Sequence, residues 1–169
     1  MPKHNDSPIE IQFREGLKPG DLGYITYLHG KIYSDEYGFD TTFEPYVAKP
    51  LSDFSLSKDF ENQKIWIVEK NSRIVGSIAI VKHSESEAQL RWLILQKEVR
   101  GLGIGRQLLE KALNFCHEVG YHIVFLWTVS ILESAAYLYS SYGFTRTEWK
   151  THKIWGRELT EERYDLKLN

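Results

Sequence analysis

Apolar positions recur along this chain with two periods. Ile9, Ile11 and Phe13 are spaced by two with polar residues between them, the pattern of a half-buried strand. Lys18-Pro19-Gly20-Asp21 reads as a turn with Asp21 as helix N-cap. Leu22, Ile25, Leu28 (or His29) and Ile32 then put one apolar face on a helix running to about Ser34. A second helix is predicted from Thr42 to about Leu56, with Pro50 expected to kink or divide it. Residues 65–68 and 74–80 read as strands, joined at the polar Lys70-Asn71-Ser72-Arg73 by a tight hairpin. Ser84 to Glu87 is a charged turn into the apolar run Leu90-Arg91-Trp92-Leu93-Ile94-Leu95, the central strand.

Helical spacing returns at Ile104, Leu108, Leu109, Ala112, Phe115 and Val119, closed by Gly120 as the C′ residue. A strand over 121–129, a helix carrying Tyr139, and strands over 144–154 and 163–168 complete the pattern; in the last, Tyr164, Leu166 and Leu168 alternate with Asp165 and Lys167. The order strand, helix, helix, three strands, helix, strand, helix, two strands is a mixed α/β layout. Residues 1–7 are expected to be a flexible tail and residues 8–169 one domain.

Composition narrows the function classes. With 169 residues, 42% hydrophobic and 26% charged, the chain has the make-up of a soluble globular protein with a sizeable core. A net charge of −2 gives no bulk attraction to nucleic acid or anionic membrane. The single Cys116 excludes an internal disulfide and fits a reducing, cytoplasmic setting; near the apolar face of its helix it reads as a small core hydrophobe. The first eight residues hold no apolar signal-peptide region, and no run of about 18 apolar residues could cross a membrane. The six histidines show no HExxH or paired ligand spacing, so no metal is expected.

The chemistry concentrates after the central strand, at Arg100-Gly101-Leu102-Gly103-Ile104-Gly105-Arg106. Glycines free the backbone to turn several N–H groups toward one point and let a ligand approach closely. At a helix start those groups are unpaired and partly positive, which suits phosphate, and Arg100 and Arg106 bracket the turn. The spacing is not G-x-G-x-x-G, and no Gly-Lys-Ser/Thr follows, so neither a dinucleotide fingerprint nor a P-loop is present.

Arg-x-x-Gly-x-Gly between a strand and a helix resembles the coenzyme A pyrophosphate turn of the GNAT family of N-acetyltransferases. A second stretch, Ala135-Ala136-Tyr137-Leu138-Tyr139-Ser140-Ser141-Tyr142-Gly143-Phe144, is similar to that family's A-x-x-L-Y-x-x-x-G-F helix. The resemblance implies an α/β GNAT fold, a mixed central sheet of about six to seven strands flanked by about four helices. It implies acetyl-CoA as co-substrate, with Leu93, Ile94 and Leu95 pairing to the pantetheine arm and residues 100–106 (Arg100, Gly101, Leu102, Gly103, Ile104, Gly105, Arg106) holding the pyrophosphate. It implies that Tyr139 donates a proton to the departing thiolate, and a phenol with pKa near ~10 is protonated at neutral pH. Where the family often has Asn, this chain has Leu132, with Ser130 and Ser134 as open substitutes. The Trp155-Gly156-Arg157 stretch resembles the GNAT domain of bacterial MarR–GNAT fusions.

The expected reaction is direct attack of a primary amine on acetyl-CoA in a ternary complex, the acceptor being a small molecule or peptide. Tyr33, Asp35, Glu36, Tyr37, Phe39, Asp40, Phe43 and Glu44 interleave aromatics with carboxylates; this segment either binds a cationic amine, through Tyr33, Glu36 and Tyr37, or packs as an ordinary loop. Glu36, Glu44, Glu85, Glu87, His29 and His152 stand as candidate general bases. Homodimers are common in that family, and the resemblance implies a homodimer as one possible state of this chain. The alternative function is a non-catalytic CoA-binding or regulatory module with the same fold.

Overall fold

The computed structural model describes residues 10–169. The expected tail and the first strand's Ile9 lie outside the described residues. The elements run β1 (Ile11–Glu15), α1 (Asp21–Tyr37), α2 (Phe43–Ser57), β2 (Lys64–Lys70), β3 (Arg73–Lys82), β4 (Glu87–Leu95), a short 3-10 turn (Lys97–Val99), α3 (Ile104–Val119), β5 (Ile123–Val129), α4 (Glu133–Ser141), β6 (Thr145–Ile154) and β7 (Arg157–Lys167). They form a seven-stranded sheet in the order β1-β2-β3-β4-β5-β7-β6, in which only β4 and β5 run parallel. This is the expected α/β arrangement of four helices on a mixed sheet.

Two cores form, one on each sheet face. Leu108, Leu109, Ala112 and Cys116 of α3 pack with Val75, Ile80 and Leu126, joined by Tyr139 of α4. On the other face Ile25 and Leu28 of α1 and Val47, Leu51 and Phe54 of α2 pack on Ile65, Ile67 and Trp92. Cys116 is fully buried and its thiol is pushed up to about 12 by burial, which makes it an inert core residue.

Several boundaries differ from expectation. Gly20, at φ 92°, takes the cap position of α1, because the Asp21 carboxylate turns back to accept from the Lys18 N–H and to pair with Arg14. The same helix runs on to Tyr37, where Gly38 in the left-handed region ends it. Pro50 does not divide α2, which continues through it. The β2–β3 turn holds Asn71 and Ser72 at φ 50° and 64°, the twist that a two-residue hairpin requires. The final strand starts at Arg157 rather than Arg163, because residues 157–162 pair with β6 in an exposed ribbon. Cross-strand partners such as Thr151–Thr160 and Arg146–Glu162 hold that ribbon in register.

Candidate active site

The middle of β4 creates the site. Ser77 pairs with Ile94 and Ala79 with Arg91, so Ile78 faces two residues, Trp92 and Leu93. Trp92 takes φ 52°, and its carbonyl accepts from the Ser77 hydroxyl at 2.7 Å. This bulge slips the alternation by one residue. Ala88 and Leu90 face the α3 side before it, Leu93 and Leu95 after it, while Trp92 joins the opposite core. The parallel ladder to β5 stops at Gln89, so β4 and β5 part beyond it. The strand edge over residues 90–95 that faces β5 is thereby left free to pair with something else.

Two hollows meet at this opening. The larger, about 630 Å³, is a groove running from Leu93, Ile94 and Leu95 past Arg100, Gly101, Gly103, Ile104, Gly105 and Arg106. Of the residues expected to hold the cofactor, Leu102 alone does not line it; its side chain stands 62% exposed. Gly101 and Gly103 take φ 75° and 77°. Gly103 caps α3 with no side-chain hydrogen bond, and the first turn holds no acidic residue, so the helix's opening N–H groups face the groove without an anion. A Cβ on Gly105 would meet only Leu95 and Leu138, at 3.5 and 3.6 Å. The groove thus offers the free strand edge and the N–H cradle that coenzyme A needs. Ser134 also lines it, whereas Ser130 does not.

The smaller hollow, about 110 Å³, is the wedge itself. It lies between Gln89–Leu93 of β4 and Leu126–Val129 of β5, and Tyr33, Leu93, Leu132 and Ala135 are common to both hollows. Tyr139 lines the wedge, buried, and burial raises its phenol further above its ordinary value. It makes no hydrogen bond among the described residues, so its proton is uncommitted. The wall opposite is aromatic. Trp155, at the β6–β7 turn with φ 53°, lies 5.1 Å from Phe39, 4.9 Å from Phe43 and 4.9 Å from Tyr46, centroid to centroid. Gly156 follows at φ 81°, and a Cβ there would come within 2.8 Å of Asp40, which is why this tip is Trp-Gly.

The aromatic–acidic segment is not an open cage. Tyr33, Phe39 and Phe43 pack on one another, with centroids 4.7 to 5.3 Å apart. Three of its four carboxylates already have partners: Asp35 pairs with Lys31, Asp40 accepts from the Thr42 N–H, and Glu36 grips Arg100 through two hydrogen bonds of 2.7 and 2.9 Å. Glu36 and Tyr37 line the cofactor groove rather than the wedge, and Tyr33 lines both.

Of the candidate bases, His29 lines the wedge. Burial pushes its pKa down to about 4, and its Nδ1–H donates to the Ile25 carbonyl. Glu85 sits on Lys82, and Glu87 lies where β4 and β5 are still paired. His152 lies outside the wedge lining but bonds Glu161, which is in it. Glu161, Arg91, Tyr46 and Trp155 are wedge residues that sequence reasoning passed over; only the bulge and the β6–β7 tip bring them together. Among the described residues no group of three or more acidic, His or Cys side chains is placed to hold a metal.

Residues 32–157 match the family model for the acetyltransferase (GNAT) domain, and the chain belongs to that family. Human N-acetyltransferase 8B is 33% identical over 97 residues, covering 54% of this chain and 43% of that protein. The chain spans about half the length of the curated relatives it matches. Among solved structures, an acetyltransferase from Streptococcus agalactiae superposes with a TM-score of 0.77 at 20% identity, covering 94% of this chain and 98% of that one. A GNAT family acetyltransferase from Elizabethkingia anophelis with acetyl-CoA bound gives 0.65 at 17% identity, covering 94% and 98%. At these identities the structural likeness is one of fold.

Proposed function

We propose that this chain is an acetyl-CoA-dependent N-acetyltransferase that passes an acetyl group directly to a primary amine. The observation that carries the reading is the meeting of the two hollows at Tyr33, Leu93, Leu132 and Ala135, where the strands part. A long groove ending in a phosphate cradle there joins a small cavity that holds Tyr139. The N–H groups of residues 101–106, with Arg100 and Arg106, hold the pyrophosphate. The free edge of β4 pairs with the pantetheine arm, and a strand N–H polarises the thioester carbonyl. The amine nitrogen attacks that carbonyl, the C–S bond breaks, Tyr139 gives its proton to the thiolate, and the proton shed by the nitrogen returns through water to the Tyr139 phenolate. Holding both reactants at one junction supplies much of the acceleration.

Kinship with the acetyltransferase domain of MarR-type fusions is a further part of this proposal, supported by the Trp155-Gly156 turn alone. Tyr139→Phe tests the catalytic role. We expect kcat for thiol release to fall by about 10²-fold with the KM for acetyl-CoA nearly unchanged. An unchanged kcat would leave Tyr139 as a packing residue.

A further inference from the structure

Among the described residues, the wedge contains a cation with no counter-ion. Arg91 lines it from the bulge, its guanidinium carbon 5.2 Å from the Trp92 ring and 5.9 Å from the Tyr46 ring. Among the described residues its sole hydrogen-bond contact is the Gln89 side-chain oxygen, at 3.5 Å, the outer limit for such a bond. The other two half-buried arginines each rest on a carboxylate: Arg14 on Asp21 and Glu69, Arg163 on Asp165. Burial lowers the pKa of Arg91, offset in part by the Tyr46 phenol and by no carboxylate. Keeping a guanidinium in such a place unpaired is costly unless a ligand completes it.

One carboxylate, Glu161, lines the same cavity, tied to His152. It makes no ion pair with Arg91; the Tyr46 phenol feels both charges. The cavity is therefore bipolar, with separated positive and negative groups, and Phe43, Tyr46, Val47, Trp92 and Trp155 give it an aromatic and apolar side. The indole N–H of Trp92 is buried there without a partner among the described residues.

The geometry points to an acceptor that is an α-amino acid, or a close derivative, with a large apolar side chain. Arg91 binds its carboxylate in a forked pair, Glu161 faces its amine, and the aromatic wall takes the side chain. This rests on the acetyl-transfer reading above and narrows it to a substrate class. It also explains why the two charges do not neutralise each other: each serves a different end of one zwitterion. Arg91 is thus a specificity-determining residue.

The test is calorimetric binding of phenylalanine, phenylalaninamide and phenethylamine to the protein saturated with coenzyme A, followed by thiol release with the same three under acetyl-CoA. We expect phenylalanine to bind about 10- to 100-fold more tightly than the two analogues that lack the carboxylate. Arg91→Gln should erase that preference and Arg91→Lys keep part of it, both variants retaining the melting-temperature rise with acetyl-CoA that shows an intact fold. Equal or tighter binding of phenethylamine by the native protein would overturn the assignment, as would equal loss for all three compounds in Arg91→Gln. Arg91-dependent binding of phenylalanine without thiol release would instead uphold the site and defeat the acetyl-transfer reading. Transfer to phenethylamine but not to phenylalanine would do the reverse.

Discussion

Arg100 shows how a single side chain can be committed before its ligand arrives. Its Nε donates to the Leu95 carbonyl at 3.0 Å, and its two terminal nitrogens grip Glu36 at 2.7 and 2.9 Å. In the proposed cofactor site the pyrophosphate uses the same fork, so Glu36 competes with it. Both side chains are partly exposed, which keeps the ion pair weak and lets an anion displace it. Glu36→Gln should therefore tighten acetyl-CoA binding, by about two- to fivefold in a calorimetric titration. Weaker binding in that variant would mean that Glu36 orients Arg100 for the phosphate instead. Tyr139 is the opposite case. Buried and without a hydrogen-bond partner among the described residues, it keeps its proton across the physiological range, so its ionisation should not shape the pH–rate profile below about pH 10.

Among the elements, α1 joins fold stability to the site. His29 is buried in it, stacked 6.2 Å from Tyr33, and held neutral with a pKa of about 4. In the unfolded chain it titrates near ~6.5, so between the two values the unfolded state binds more protons than the folded one. The stability this brings is full above pH ~6.5 and is lost as pH falls toward 4, on the order of 3 kcal/mol. Thermal unfolding of the native protein and of His29→Leu should show curves that converge as the pH falls through this window; parallel curves would show that His29 is not the titrating group.

The elements themselves were mostly legible as periodicity. The α3 pattern and its Gly120 stop are as read, because a strongly two-faced helix is set by local spacing. Residues 157–162 were not legible as strand: Arg157-Glu158-Leu159-Thr160-Glu161-Glu162 show no clean alternation, since this part of β7 pairs with the exposed β6 and depends on cross-strand partners. The Asp21 expectation failed because Arg14, from β1, claims its carboxylate.

For the whole molecule, the proposed mechanism depends on one sheet being continuous at one end and split at the other. The β4–β5 ladder holds from Glu87 to Gln89, and beyond it the bulge at Trp92 separates the strands. The glycine turn at the start of α3 could be read from the sequence because its glycines and arginines are contiguous. The wedge could not. Arg91, Tyr46, Trp155 and Glu161 come from four elements or their connections and meet through a one-residue slip in strand register and a docked hairpin tip.

The account rests on coenzyme A occupying the groove, and calorimetric titration with acetyl-CoA beside Gly105→Asp tests this most directly. That site has room for a side chain, and an acid in the first turn of α3 favours the helix, so the variant should fold while repelling the pyrophosphate. We predict saturable one-to-one binding of acetyl-CoA by the native protein, none of NAD or ATP under the same conditions, and loss of acetyl-CoA binding by at least about tenfold in Gly105→Asp. A folded native protein that fails to bind acetyl-CoA, or a Gly105→Asp variant that binds it equally well, would contradict the account.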